Sequence, residues 1–229
     1  SCLNILDTRT GKFSRSVHNS KNKDSLSSSS VTALHRDAFD TMWVGTRRGF
    51  NKALTSTSFV RFDAGFVRSM LRVGNTLWAG TTDNGVMRLD LRNLRSDSFG
   101  HDPLLSFSLS NNQVRNVFRD NSGILWSSTY KGISKLNRGS EQFQNFILDP
   151  LLAKQPVAGL CCARNGDIMI GTYDGLLYFD VQQRIVRKFG HDPANKQSLP
   201  TNLVTAIVQD RTSQEVFWIG SWDGGVIKF

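Results

Sequence analysis

The side chains best suited to hold a ligand recur at one place in a repeated pattern. Directly after a Thr or Ser that opens a turn stand Arg47, Thr82, Tyr130, Tyr173 and Trp222, and beside the three aromatics stand Lys131, Asp174 and Asp223. Flat rings next to carboxylates and cations suit a carbohydrate, whose C–H faces stack on rings while its hydroxyls bond to charged groups. A cationic set accompanies them. Arg68 and Arg115 follow the aligned Val67 and Val114, and with Arg47 and Arg48 they form an entrance able to clamp a carboxylate or sulfate bidentately. An oligosaccharide, anionic if the arginines take part, is the ligand these positions point to. The competing explanation is structural: rings that cover sheet edges, and arginines in ordinary surface ion pairs.

Catalytic chemistry is harder to assemble. His18, His35, His101 and His191 lie far apart, and His101 and His191 both sit in a recurring Gly-His-Asp-Pro loop that reads as a structural turn. No zinc-binding spacing, nucleophile elbow or phosphate-binding glycine loop occurs. Asp174 and Asp223 could serve as acid and base if they converged, but turn-forming Asp explains them more simply. Cys2, Cys161 and Cys162 have no metal-ligand spacing, and the latter two, inside VAGLCCA, read as small buried strand residues. No catalytic residue, metal ligand or cofactor is assigned, and an enzyme is not expected.

Lys and Arg outnumber Asp and Glu by 28 to 19, a formal charge of +9 that favours anionic partners. The charges are scattered, however, and no basic helix or RNA-binding signature appears, so nucleic acid is not among the expected partners. With 39% hydrophobic and 21% charged residues the composition is that of a globular protein. No apolar run approaches the roughly 18 residues of a membrane helix, so any membrane attachment would run through other parts of a parent protein. No basic, apolar leader opens the sequence either.

What must position these residues is a repeat. MWVGTRRG (42–49), LWAGTTDNG (77–85), LWSSTYKG (125–132), IMIGTYDG (168–175) and FWIGSWDGG (217–225) align on one pattern. Their Trp43, Trp78, Trp126, Met169 and Trp218 lie 35, 48, 43 and 49 residues apart. Upstream of each runs a short apolar alternation (VTALHRD, VRSMLRV, VRNVFRD, VAGLCCA, VTAIVQD), joined to it by a polar turn, and downstream come a third and often a fourth strand. Strand, hairpin, strand, turn, strand, strand is an antiparallel four-stranded blade. The pattern predicts an all-β chain, a β-propeller with five blade cores at about 31–62, 66–99, 114–147, 157–189 and 204–229. One domain is the default expectation at 229 residues. The Trp column reads as packing between blades.

Residues 1–17 resemble the third and fourth strands of a preceding unit, and the sequence ends in a third strand, GGVIKF. Segment 12–17 could complete that last blade and close a five-bladed ring. Against this, LNILD would then duplicate GVIKF, which favours an arc of a larger, seven-bladed ring. Open blade edges of such an arc would favour self-association.

The phrases SLSNNQVRNVFRDNSGILWSSTYKGISKLN (108–137) and HDPANKQSLPTNLVTAIVQD with FWIGSWDGGVIKF (191–229) resemble the two-component regulator propeller repeat. The second unit departs from the pattern, because RVGNTLW lacks the Asp-turn-Gly hairpin. DNSGILW also approaches the Asp-box turn of sialidase propellers, a structural motif without catalysis. The regulator resemblance implies a periplasmic or extracellular sensor region of a hybrid histidine kinase or diguanylate cyclase, receiving a carbohydrate or a partner domain. A propeller lyase or glycosidase and a dimerisation scaffold are the rival readings.

Overall fold

The computed structural model describes residues 2–137, 139–146, 156–180 and 185–229, and every regular element among them is a β-strand. Among the described residues no helix is long and apolar enough to cross a membrane. The chain divides into two compact units, Ser1–Phe99 and Gly100–Phe229.

The first unit opens with a two-stranded sheet, β1 (Leu3–Leu6) against β2 (Phe13–Ser16). The 12–17 segment, considered above as a strand for the last blade, thus takes β1 as its partner. Two four-stranded antiparallel blades follow. One holds β3 (Val31–Arg36), β4 (Met42–Thr46), β5 (Gly49–Ala53) and β6 (Phe59–Phe62); the next holds β7 (Val67–Val73), β8 (Thr76–Thr81), β9 (Val86–Asp90) and β10 (Ser96–Phe99).

In the second unit β11 (Val114–Arg119), β12 (Leu125–Thr129), β13 (Gly132–Asn137) and β14 (Gln142–Phe146) form the third blade. The fourth is β15 (Val157–Cys162), β16 (Ile168–Thr172), β17 (Gly175–Asp180) and β18 (Ile185–Phe189). The fifth has three strands, β19 (Val204–Gln209), β20 (Phe217–Ser221) and β21 (Val226–Lys228). Strands within every blade pair in sequence order, the antiparallel propeller arrangement that the repeat predicts.

Within each unit, neighbouring blades bury apolar faces against one another. Trp43, Phe50, Val67, Met70, Leu77 and Leu89 form one such layer between the first two blades. Trp126, Ile133, Val157, Leu160, Ile168 and Phe179 form another between the third and fourth. The Trp column therefore does pack between blades at Trp43 and Trp126, whereas Trp218 is 39% exposed.

The small residue after the apolar pair sets how closely blades approach. A Cβ on Gly171 would stand 2.6 Å from Val204 Cγ1 on the adjacent blade.

The indoles have a second role that packing alone does not reveal. Trp43, Trp126 and Trp218 donate Nε1–H to the carboxylates of Asp37, Asp120 and Asp210, at 2.9, 2.8 and 2.8 Å. The other oxygen of each carboxylate accepts from main-chain N–H groups of the hairpin, as in Phe39 and Thr41 onto Asp37. One Asp thereby closes the β-turn and pins the Trp. Burial opposes ionisation of Asp37 and Asp120, but the hydrogen bonds outweigh it, and all three carboxyls lie below the usual range; at Asp210 the bonds from Thr212 and Trp218 lead. In the fourth blade, where Met169 replaces Trp, Asp167 accepts instead from the Tyr178 hydroxyl.

Candidate functional site

Two local features build a rim of ligand-accessible side chains on each unit. The first is the turn between the second and third strands of a blade. Thr46, Thr129 and Thr172 donate their buried hydroxyls to the carbonyls of Gly49, Gly132 and Gly175, and accept from the N–H groups of Arg48, Lys131 and Asp174. Thr81 and Ser221 make the matching bonds in the other two blades. This clamp fixes the turn and leaves the residue after Thr or Ser pointing outward.

Those outward residues are also tied to the entry of strand one in their own blade. Arg47, Thr82, Tyr130 and Trp222 donate their N–H to the carbonyls of Ser30, Phe66, Gln113 and Leu203. The turn and the entry therefore share one edge of the blade, as the sequence pattern expects.

The second feature is a β-bulge at the start of strand one in all five blades. The register skips between Val31 and Ala33, Val67 and Ser69, Val114 and Asn116, Val157 and Gly159, and Val204 and Ala206. A bulge breaks the in–out alternation and re-aims one side chain. Here the skipped residues are Thr32, Arg68, Arg115, Ala158 and Thr205.

In the second unit these features converge. Tyr173, Trp222, Leu203 and Thr205 line a cavity of about 260 Å³. The guanidinium of Arg115 lies over the Tyr173 ring, 5.4 Å from its centroid. Trp222 is 79% exposed, a large apolar surface held on a fixed turn. Tyr130 is exposed on the equivalent turn of the third blade. In the first unit Arg47 and Arg68 meet at a residue that sequence reasoning did not name, Phe66, with Cζ atoms 5.2 and 4.2 Å from its centroid.

The remaining candidates are placed as follows. Asp174 forms an ion pair with Lys188 on β18, with Nζ 2.6 Å from its carboxylate, which directs it toward the outer strand of its own blade. Asp223 is exposed on the Trp222 turn. Arg48 and Lys131 are exposed and enter the turn clamps through their main-chain N–H groups. Leu203 and Thr205 were missed in the sequence. Only the bulge and the entry register bring them to the rim, and neither leaves a residue signature.

A larger cavity of about 620 Å³ lies between β1 and the first blade, lined chiefly by Leu3, Ile5, Leu34, Met42, Ala53 and Phe59. None of the rim residues reaches it. Among the described residues no group of three or more His, Cys, Asp or Glu is placed to hold a metal ion. Burial pushes the Cys161 and Cys162 thiols up, away from the reactive thiolate. His18, His101 and His191 each hold the carbonyl of a buried leucine (Leu26, Leu109, Leu199) through Nδ1 at 2.6–2.7 Å, so these lead-in loops are structural.

Comparison with known proteins agrees with this frame. The family model described as two component regulator propeller matches residues 25–48 and 108–131. The extracellular domain of a putative hybrid two-component system from B. thetaiotaomicron superposes with a TM-score of 0.81 over 97% of this chain, at 23% identity. A second such domain from the same organism gives 0.72 over 87% of the chain, at 22% identity. PorZ, a surface component of the type-IX secretion system of Porphyromonas gingivalis, gives 0.68 over the whole chain, at 14% identity and across 36% of its own length. At these identities the likeness carries the fold, and the chain spans only 30% and 27% of the two B. thetaiotaomicron domains. No curated protein sequence matches it. The chain is a β-propeller, and two of its segments match the two-component regulator propeller model.

Proposed function

We propose that this chain is the ligand-receiving part of an extracytoplasmic sensor and that its ligand is a carbohydrate held at the Tyr173–Trp222 rim. The observation that carries the reading is the cavity that these two rings line together with Leu203 and Thr205. An exposed indole and a phenol lining one cavity offer stacking area to the C–H face of a sugar ring. The guanidinium of Arg115 can donate to hydroxyl or carboxylate oxygens, and the Thr205 hydroxyl, which donates to Gly220 O at 3.2 Å, can accept from a sugar hydroxyl. The regulator repeats and the extracellular location of the superposed domains support placing the chain outside the cytoplasm, as a sensing rather than a catalytic module.

Glycan-array binding followed by titration calorimetry tests this. Tyr173→Ala and Trp222→Ala are each expected to weaken the best array ligand by about tenfold. Unchanged binding would favour a dimerisation scaffold, and release of products from uronic-acid polymers would favour a lyase or glycosidase.

A further inference from the structure

We propose that the joint between the first and second blades is a pH-sensitive latch, in which the neutral ring of His35 accepts the main-chain N–H of Arg72 and protonation of that ring releases it. The latch lies wholly within the first unit and does not involve the Tyr173–Trp222 rim.

The strands β3 and β7 are joined near both ends. Near the rim, Thr32 Oγ1 donates to Val67 O at 2.6 Å. Near the hairpin, Arg72 N–H donates to His35 Nε2 at 3.2 Å, and Arg72 Nη1 reaches Asp37 Oδ2 at 2.6 Å. The same Arg72 places Cζ 4.2 Å from the Phe39 ring centroid and donates Nε–H to Gly74 O at 2.9 Å, so it is held from several sides. Because β7 is an edge strand of its sheet, an N–H on its open edge needs an acceptor from outside the blade, and His35 provides it.

A main-chain N–H can only donate, so Nε2 must present its lone pair and the neutral ring carries its proton on Nδ1. Protonation at Nε2 sets a donor against a donor. The other three histidines differ. His18, His101 and His191 face carbonyl oxygens through Nδ1, which must therefore hold the hydrogen, and a proton added at Nε2 leaves those bonds made. Of the four, His35 is the one whose bond acid breaks.

Among the described residues, the charged groups facing His35 are Asp37 on its own hairpin and Arg72 on β7. Trp43 stands opposite it on β4, and Arg36 and Asp40 form an exposed ion pair with each other at 2.5 Å. Asp37 cannot capture the imidazolium by a hydrogen bond, because its carboxylate already accepts four. Burial of the half-buried ring disfavours the charged form and Asp37 offsets this only in part, so the folded pKa lies below the ordinary histidine value of about 6.5. The latch is therefore complete above about pH 6.5 and is lost as pH falls from there through the folded pKa. The joint between the fourth and fifth blades does the same task without a titratable acceptor: Arg164 N–H donates to Gln209 Oε1 at 2.9 Å.

The test is nuclear magnetic resonance of the full chain, isotopically labelled at its nitrogen atoms, with amide hydrogen exchange from about pH 8 to about pH 5. The His35 ring should carry its proton on Nδ1 at neutral pH and titrate with a midpoint below about 6.5. Over the same step the protection factor of the Arg72 amide should fall about fivefold to tenfold, the equivalent of one hydrogen bond. The Thr82 amide, bonded to Phe66 O at 2.9 Å near the rim of the same blade, should keep its protection. His35→Gln, which brings the neutral acceptor of the Gln209 joint to this place, should abolish the fall at Arg72. A His35 midpoint at or above about 6.5, or a ring still neutral at about pH 5, overturns the proposal. So does an Arg72 amide whose protection is constant, a fall that Thr82 shares in full, or one that persists in His35→Gln.

Discussion

Replacing Asp37 by Asn separates the charge of the hairpin carboxylate from its shape. Asp37 accepts four hydrogen bonds: Phe39 and Thr41 N–H on Oδ1 at 2.9 Å each, and on Oδ2 the Trp43 indole at 2.9 Å and Arg72 Nη1 at 2.6 Å. Arg72 belongs to the next blade, so this side chain joins the two blades of the first unit. Its own side chain is almost fully buried and that of Arg72 is largely so. Asparagine keeps Oδ1 for the turn but sets an NH₂ against two donors. The loss is two bonds to a carboxylate, one from the indole and one from the guanidinium, each at the low end of the range for a charged acceptor, about 1.5 kcal/mol, or about 3 kcal/mol together. At about 2–4 °C per kcal/mol for a chain of this size, Tm should fall by about 6–12 °C.

The pH dependence supplies an independent check. Burial raises the Asp37 pKa, but the bonds from Arg72, Trp43, Thr41 and Phe39 outweigh it, and the folded carboxyl lies well below its unfolded value. The stabilisation is therefore complete above the unfolded pKa of about 4 and is lost as pH falls toward the folded one. Urea titrations followed by tryptophan fluorescence, from pH 7 down to pH 3, read both effects. Asp120 and Asp210 titrate in the same direction, so the quantity to compare is the difference between native chain and variant. That difference should be about 3 kcal/mol at pH 7 and should shrink below about pH 4. A difference under about 0.5 kcal/mol at pH 7, or one constant across the range, would refute the assignment of charge to this joint.

Three further substitutions probe the frame. Ser128 stands where other blades have Gly45, Gly171 and Gly220, and its buried hydroxyl lacks a hydrogen-bond partner among the described residues; Ser128→Ala should raise the urea midpoint, worth about 1 kcal/mol, with an unchanged slope. Gly175 adopts φ +111° and a Cβ there would meet Phe189 O at 2.4 Å. Gly175→Ala should cost more than about 2 kcal/mol by thermal melting, beyond the usual Gly-to-Ala effect. Leu109 is fully buried beneath the His101 loop, and Leu109→Ala should cost about 2–5 kcal/mol by urea denaturation.

The fold was legible because its signal is repeated. Five copies of an apolar pair, a small residue, Thr or Ser and a Gly-terminated turn fix strand order and polarity even where one copy is irregular. The hairpin of the second blade lacks Asp, and Gly74 at φ +58° makes the reversal instead. The site was legible in part. Tyr173, Trp222, Arg47, Arg68 and Arg115 stand out as columns of the alignment. Their neighbours Phe66, Leu203 and Thr205 do not. The bulge that aims Arg68, Arg115 and Thr205 is a mismatch in the hydrogen-bond ladder, and the five skipped residues share no side-chain chemistry. The bond from Trp to Asp was hidden for a related reason. Six residues separate the pair in two blades and eight in the fifth, whose hairpin is longer, so no single spacing marks it.

That difference in legibility separates frame from function. Residues repeated from blade to blade are consumed by the frame: Asp holds Trp, Thr holds the turn, His holds the loop above a buried Leu, and each contact closes within the repeat. The rim positions hold no residue constant across the five blades, with Arg, Thr, Tyr, Tyr and Trp on the turns and Thr, Arg, Arg, Ala and Thr in the bulges. On the turns the frame holds the main chain, in four blades through N–H groups bonded to the strand entries. A side chain fixed at its root and unconstrained in kind can change without cost to the blade. Binding chemistry can therefore accumulate there, and variants at Tyr173 and Trp222 should shift affinity while leaving stability within about 0.5 kcal/mol.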